Sequence, residues 1–239
     1  MRNEWKLAIG GAIGVPAIAY GIASIQNLFL PPLESPTPGK KHIACVGDSI
    51  TYGYGVVMNR KTDAYPYILQ KYVGDEWEVL NYGFSSRTLQ DEGDFPYRKE
   101  KMYRRSLDAK ADIYTIMLGT NDTKSWNWNP ERLEQEYEAF VKEYIDIAGA
   151  ENVFLVKPPR AHTLLGIHMY GIRDEQITEF CPMIDRIAEK LKTPVIDLNT
   201  LSTGHKEWLP DGIHPNRKGN IAFARAIYEK ISIRLYTKS

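Results

Sequence analysis

The chain has 239 residues, 43% hydrophobic and 25% charged, with Lys+Arg and Asp+Glu both at 30 and a formal net charge of +0. Such a composition excludes a disordered chain, and a neutral balance without a dense basic run argues against nucleic acid as a partner. The two cysteines, Cys45 and Cys181, form neither a disulfide framework nor a Cys/His metal cluster and read as unpaired core thiols.

In chain order, the first feature is an apolar stretch. Residues 7–30 carry no charged side chain. As a helix they would span about 36 Å, enough to cross the hydrocarbon core of a bilayer. Arg2 and Lys6 precede the stretch, an arrangement that keeps the N-terminus in the cytoplasm and sends the remainder across. Residues 1–30 therefore read as an uncleaved membrane anchor, with a cleaved signal peptide as the alternative. The stretch is longer than an ordinary signal core and lacks a clean small-x-small site at its far end. Pro31, Pro32, Pro36 and Pro38 then make residues 31–40 a stiff extended linker. Residues 41–239 are left as one sizeable domain, on the outer side of the membrane in either reading.

Within that domain strands and helices alternate. Residues 42–46 form a short apolar run ending at Gly47, the pattern of a buried strand. Residues 63–73 have helical spacing with Asp63 as cap, and residues 77–80 are a second strand. A basic helix is expected over 98–109 and a third strand over 112–118. A long amphipathic helix over 130–148 presents Leu133, Tyr137, Phe140, Tyr144 and Ile147 on one face. A fourth strand (152–156), a helix (173–191), a fifth strand (194–198) and a closing helix (217–235) complete the order. This alternation predicts an α/β fold, a parallel sheet with helices on both faces, whose site forms at the carboxyl ends of the strands.

Four short motifs fall where such a fold places its site: Gly47-Asp48-Ser49, Asn81-Tyr82-Gly83, Gly119-Thr120-Asn121-Asp122 and Asp211-Gly212-Ile213-His214-Pro215. Ser49 follows the first strand at a tight turn into a helix. Its hydroxyl is a weak nucleophile unless a base takes its proton. His214 is the best base, and Asp211, three residues earlier, can fix its tautomer and stabilise the imidazolium. Acyl transfer also needs donors aimed at the developing oxyanion. The N–H groups of Ser49 and Gly83 and the carboxamide of Asn121 can supply them. Each residue alone also has a bland explanation, as helix cap, turn glycine or surface histidine. The ordered set is what carries the argument.

On these motifs, over residues 41–231, the chain resembles the SGNH hydrolase superfamily of GDSL-type esterases and lipases, in the style of bacterial carbohydrate O-acetylesterases. The resemblance implies a three-layer α/β/α sandwich with a five-stranded parallel sheet, a catalytic set of Ser49, Asp211 and His214, an oxyanion hole of Ser49, Gly83 and Asn121, and no cofactor. Ile50 stands where the family often has leucine, and Ser86-Arg87 where a glycine often follows the serine of the second motif.

The substrate is harder to read. Trp126 and Trp128 crowd the loop after the third strand, and Tyr170 and Trp208 lie in other loops. Aromatic faces with polar tips suit a sugar, so these four, with Asp48 beside the serine, are the expected substrate contacts. The expected activity is removal of acetyl from an O-acetylated glycan outside the cell, with the membrane reached through the N-terminal segment. A lysophospholipase or thioesterase acting on longer acyl chains is the alternative. An inactive surface-tethered glycan-binding module is the third reading.

Overall fold

A computed structural model describes residues 31–236. The expected anchor or signal segment, residues 1–30, lies outside the described residues. No helix among the described residues is long and apolar enough to cross a membrane.

Five parallel strands form one sheet: β1 (Lys41–Gly47), β2 (Trp77–Gly83), β3 (Ile113–Met117), β4 (Val153–Lys157) and β5 (Val195–Asp197), in spatial order β2-β1-β3-β4-β5. Both faces of the strands are buried, which explains why they read as continuous apolar runs. Alternation along β1 sends Ala44 and Val46 to one face and Ile43 and Cys45 to the other. Helices α3 (Lys101–Asp108), α4 (Pro130–Ala148) and α5 (Asp174–Leu191) cover the first face. Helices α2 (Tyr65–Val73) and α7 (Arg217–Leu235) cover the second. Two short helices, α1 (Ser49–Tyr52) and α6 (Leu198–Ser202), follow β1 and β5 directly. The three-layer α/β/α sandwich is thus as expected.

The long helices start where their caps predict. Asn129 accepts from the Arg132 N–H ahead of Pro130, and Asn216 accepts from the Lys218 and Gly219 N–H groups at the start of α7. Other boundaries differ. Asp63 does not cap α2; it ends a separate helical turn, Arg60–Asp63, and pairs with Arg217. Ala64, with extended backbone, starts α2 instead. On α4 the buried face is Leu133, Tyr137, Phe140, Val141 and Tyr144, while Ile147 is turned to solvent.

The proline-rich segment departs from a free-standing linker. Glu34 accepts from the Tyr67 hydroxyl at 2.6 Å and from the Asn81 N–H at 2.6 Å. The Thr37 N–H and hydroxyl both donate to the Glu78 carboxylate at 2.7 Å. The segment therefore lies along edge strand β2 and occupies the Asn81 N–H, a donor that an open edge would expose.

Candidate active site

At the carboxyl end of β1 the chain turns at once into α1. The cap of that helix is Asp48, whose Oδ1 accepts from the Ile50 N–H at 2.9 Å. Ser49 is thereby freed from a capping role. The turn fits only because its neighbours are glycines. A Cβ on Gly47 would fall 2.1 Å from Thr51 Oγ1 and 2.9 Å from the Met117 carbonyl oxygen, and one on Gly83 would fall 2.2 Å from the Tyr52 backbone nitrogen. Asn81 braces the same turn, donating to the Thr51 carbonyl at 3.0 Å.

His214 reaches Ser49 from the loop before α7. Its Nε2 lies 2.8 Å from Ser49 Oγ, and its Nδ1 lies 2.6 Å from Asp211 Oδ2. The other carboxylate oxygen accepts from the Ile213 and His214 N–H groups at 3.0 and 2.7 Å. Burial opposes ionisation of Asp211, but the His214 ring and the two N–H groups outweigh it and hold the carboxyl down to about 2. The loop is fixed from below by buried Asn220, which donates to the Pro215 carbonyl at 2.8 Å and accepts from the Tyr65 N–H at 2.9 Å. Hydroxyl, imidazole and carboxylate thus stand in line, with Ser49 only 3% exposed. This order lets the imidazole take the hydroxyl proton while the carboxylate holds its far nitrogen.

Asn121 comes from the turn after β3. Its carboxamide donates to the Arg87 carbonyl at 3.1 Å and reaches Asp48 Oδ2 at 3.5 Å, so it borders the Ser49 turn. Gly83 does not fit the expected donor role. Its N–H donates to Asn81 Oδ1 at 2.9 Å, and its lack of a side chain serves the close approach of α1. Beyond it, Ser86 is buried with φ of 67°, a left-handed conformation uncommon for a residue other than glycine.

The expected substrate contacts divide. Trp126 is partly exposed; its Nε1 donates to Asp94 Oδ2 at 3.2 Å and its ring lies against Gly171. Trp128 instead is partly buried and packs against the core cluster that α4 covers. Trp208 stacks on His205 at 3.9 Å and meets Phe223 of α7 edge-on, so it too belongs to packing. Asp48 is fully buried as a cap and offers no surface to a substrate. Tyr170 lies on the Asp211–His214 pair: its ring is 5.1 Å from the imidazole and its hydroxyl 3.3 Å from Asp211 Oδ2.

Sequence reading missed Tyr54, whose ring is 4.7 Å from that of His214. The signal was Gly55 beside it, where a Cβ would fall 2.5 Å from the Pro215 carbonyl oxygen. It also missed what holds Asn121. Asp122 accepts from the Leu89 and Gln90 N–H groups, both at 2.9 Å, and buried Lys124 donates to Asp94 at 3.0 Å. Among the described residues no group of three or more His, Cys, Asp or Glu side chains is placed to hold a metal ion.

Residues 45–221 match the GDSL-like lipase/acylhydrolase family. The chain is 34% identical over 222 residues to an acetylxylan esterase of Xylanibacter ruminicola, an alignment covering 85% of this chain and 46% of that protein. It therefore spans about half the length of this curated relative. The fold is shared with an aryl esterase of M. smegmatis, at 24% identity and a TM-score of 0.66 over 81% of this chain and 99% of that one. It is shared too with a carbohydrate acetylesterase of Sinorhizobium meliloti, at 22% identity and a TM-score of 0.63 over 82% and 100%. Its motifs, its sheet order and these likenesses agree, and the chain belongs to the GDSL-like lipase/acylhydrolase family.

Proposed function

We propose that this protein is a serine esterase that removes acetyl groups from a hydroxylated, glycan-type substrate through an acyl-enzyme on Ser49. The observation that carries the reading is the line of contacts from Ser49 Oγ through His214 to Asp211, at 2.8 and 2.6 Å. The likeness to an acetylxylan esterase supports the acetyl and glycan parts.

In this mechanism His214 Nε2 takes the Ser49 proton as Oγ attacks the ester carbonyl. The carbonyl oxygen becomes an oxyanion beside the Asn121 carboxamide and the Ser49 N–H. Collapse breaks the bond to the sugar oxygen, which leaves with the proton from His214. Water then gives a proton to His214 and attacks the acyl carbon. Acetate departs, and the proton returns to Ser49 Oγ. Asp211 stays ionised throughout. The proposed place of work is outside the cytoplasm, with the domain held near a membrane by its N-terminal segment.

The test is hydrolysis by the full chain of p-nitrophenyl esters from acetyl to long acyl chains, beside Ser49→Ala. Acetyl preference, with kcat at least about ten-thousandfold lower in the variant, is expected. Preference for long chains would move the reading to lipid substrates. Turnover equal to that of Ser49→Ala on every ester would leave a binding module.

A further inference from the structure

Tyr170 was expected at the substrate, but its contacts are with the residues that would do the chemistry. Asp211 Oδ2 receives two side-chain groups: the His214 ring at 2.6 Å and the Tyr170 hydroxyl at 3.3 Å. The Tyr170 ring stands edge-on to the imidazole at 77°, and Tyr54 covers another side of it at 50°. The Asp211 side chain is 28% exposed while that of His214 is 2% exposed, so the carboxylate is the part of the pair nearest water. Tyr170 is the side chain laid against it.

The backbone that places this tyrosine is unusual. Tyr170 has φ of 56° and ψ of 10°, left-handed for a bulky residue, and Gly171 follows at φ of 77°. A side chain at 171 has no room, since its Cβ would fall 2.4 Å from the Trp126 ring. Trp126 is itself tied to Asp94. A chain of contacts thus runs from Asp94 through Trp126 and Gly171 to Tyr170, and holds the strained tyrosine against the pair.

We propose that Tyr170 is a positioning residue that sets the basicity of His214 through Asp211. By donating to the oxygen that orients the imidazole, it draws charge from that carboxylate and weakens its hold on an imidazolium. Burial and the Asp211 charge push the phenol itself well above its ordinary range, so it remains a donor at any working pH. The other titratable groups facing the pair are Tyr54, buried Asp48 from the end of β1, and His162, whose carbonyl abuts Gly212. None of these three donates to Asp211 Oδ2 among the described contacts. The inference rests on the esterase reading for its role in turnover, but its effect on the imidazole does not depend on turnover.

Tyr170→Phe keeps the ring and removes the donor. The acid limb of kcat/KM against pH should move up by about half a pH unit, so that kcat/KM below the limb falls about threefold with KM unmoved. The His214 ring-proton titration, followed by NMR in the Ser49→Ala background, should move in the same direction. A raised KM with an unmoved limb would return Tyr170 to the substrate. An unmoved His214 titration in Tyr170→Phe overturns the proposal whether or not the protein hydrolyses any ester.

Discussion

Ser49 and Asn121 are each only 3% exposed, whereas the Asp211 side chain is 28% exposed and Tyr170 lies beside it. On the serine side Asp48, Asp122 and Lys124 are fully buried, and every one is matched by a donor or an opposite charge. The network ties the loop after β2 to the turn after β3 before any substrate arrives. On the base side a loop with fully exposed Leu165 at its tip carries Tyr170, and the Asp211 carboxylate is partly open. The difference fits the roles that the proposed mechanism gives each side. Dipoles meant for a developing oxyanion act best when they cannot reorient, and a buried, satisfied network prevents reorientation. In the proposed mechanism Asp211 only orients the base and stays ionised, so its carboxylate can lie partly open while His214 and Ser49 are closed in.

The sharpest way to break the base side is Asp211→Asn. The amide presents an N–H₂ or a weaker acceptor to His214 Nδ1, and the wrong tautomer follows. A fall in kcat of about ten-thousandfold is expected, with the fold retained. Steady-state rates beside a melting curve check both parts. A variant within tenfold of wild type would mean another acid orients His214. Asp197, at the end of β5, is committed elsewhere: it caps α6 through the Thr200 N–H at 2.7 Å and pairs with Lys157 at 3.2 Å.

The serine side breaks through Lys124. Its ammonium and Asp94 are 3.0 Å apart, with side chains 0% and 4% exposed. Lys124→Met leaves the Asp94 carboxylate buried without its counter-charge and should cost about 3–5 kcal/mol. Lys190 makes the same kind of contact with Glu138, at 2.8 Å, but is 65% exposed. Lys190→Ala should cost less than about 1 kcal/mol, because water already screens the pair. Denaturant unfolding of both variants decides the matter, and equal losses would show that burial does not set the strength of these pairs.

What could be read in the sequence follows the same division. Ser49, Asn121, Asp211 and His214 were legible because each lies in a short contiguous motif at a strand end or before a helix. The five strands were legible because burial on both faces leaves unbroken apolar runs. The supports were not. Lys124 meets Asp94 and Asp122 meets Gln90 across about thirty positions, and only the folded sheet brings those loops together. Gly83 was misassigned because a glycine serves equally as a donor near a ligand and as room for a neighbouring backbone, and here the neighbour is Tyr52. The two tryptophans, Trp126 and Trp128, looked alike as loop aromatics, and packing alone sends one to the rim and the other to the core.

A smaller effect separates the two sides by pH. Burial pushes Asp48 up to about 6, although the Ile50 N–H and nearby His214 and Lys124 oppose it, and burial does the same to Asp122. A carboxyl that binds its proton more tightly when folded adds stability below its folded value, and that stability is lost as pH rises from about 4 to about 6. Asp211 has the opposite sign. Held down to about 2, it stabilises the fold above about 4 and loses that contribution only as pH falls toward 2. Across the window from about pH 4 to 6, then, the serine side weakens with rising pH while the Asp211 contribution stays constant. Asp48→Asn keeps an acceptor for the Ile50 N–H but has no proton to lose, so the decline in unfolding free energy across that window should flatten. Asp122 would supply the remaining slope. Denaturant midpoints at half-unit steps check it, and a slope unchanged from wild type would mean that Asp48 is ionised in the fold at every pH in the window.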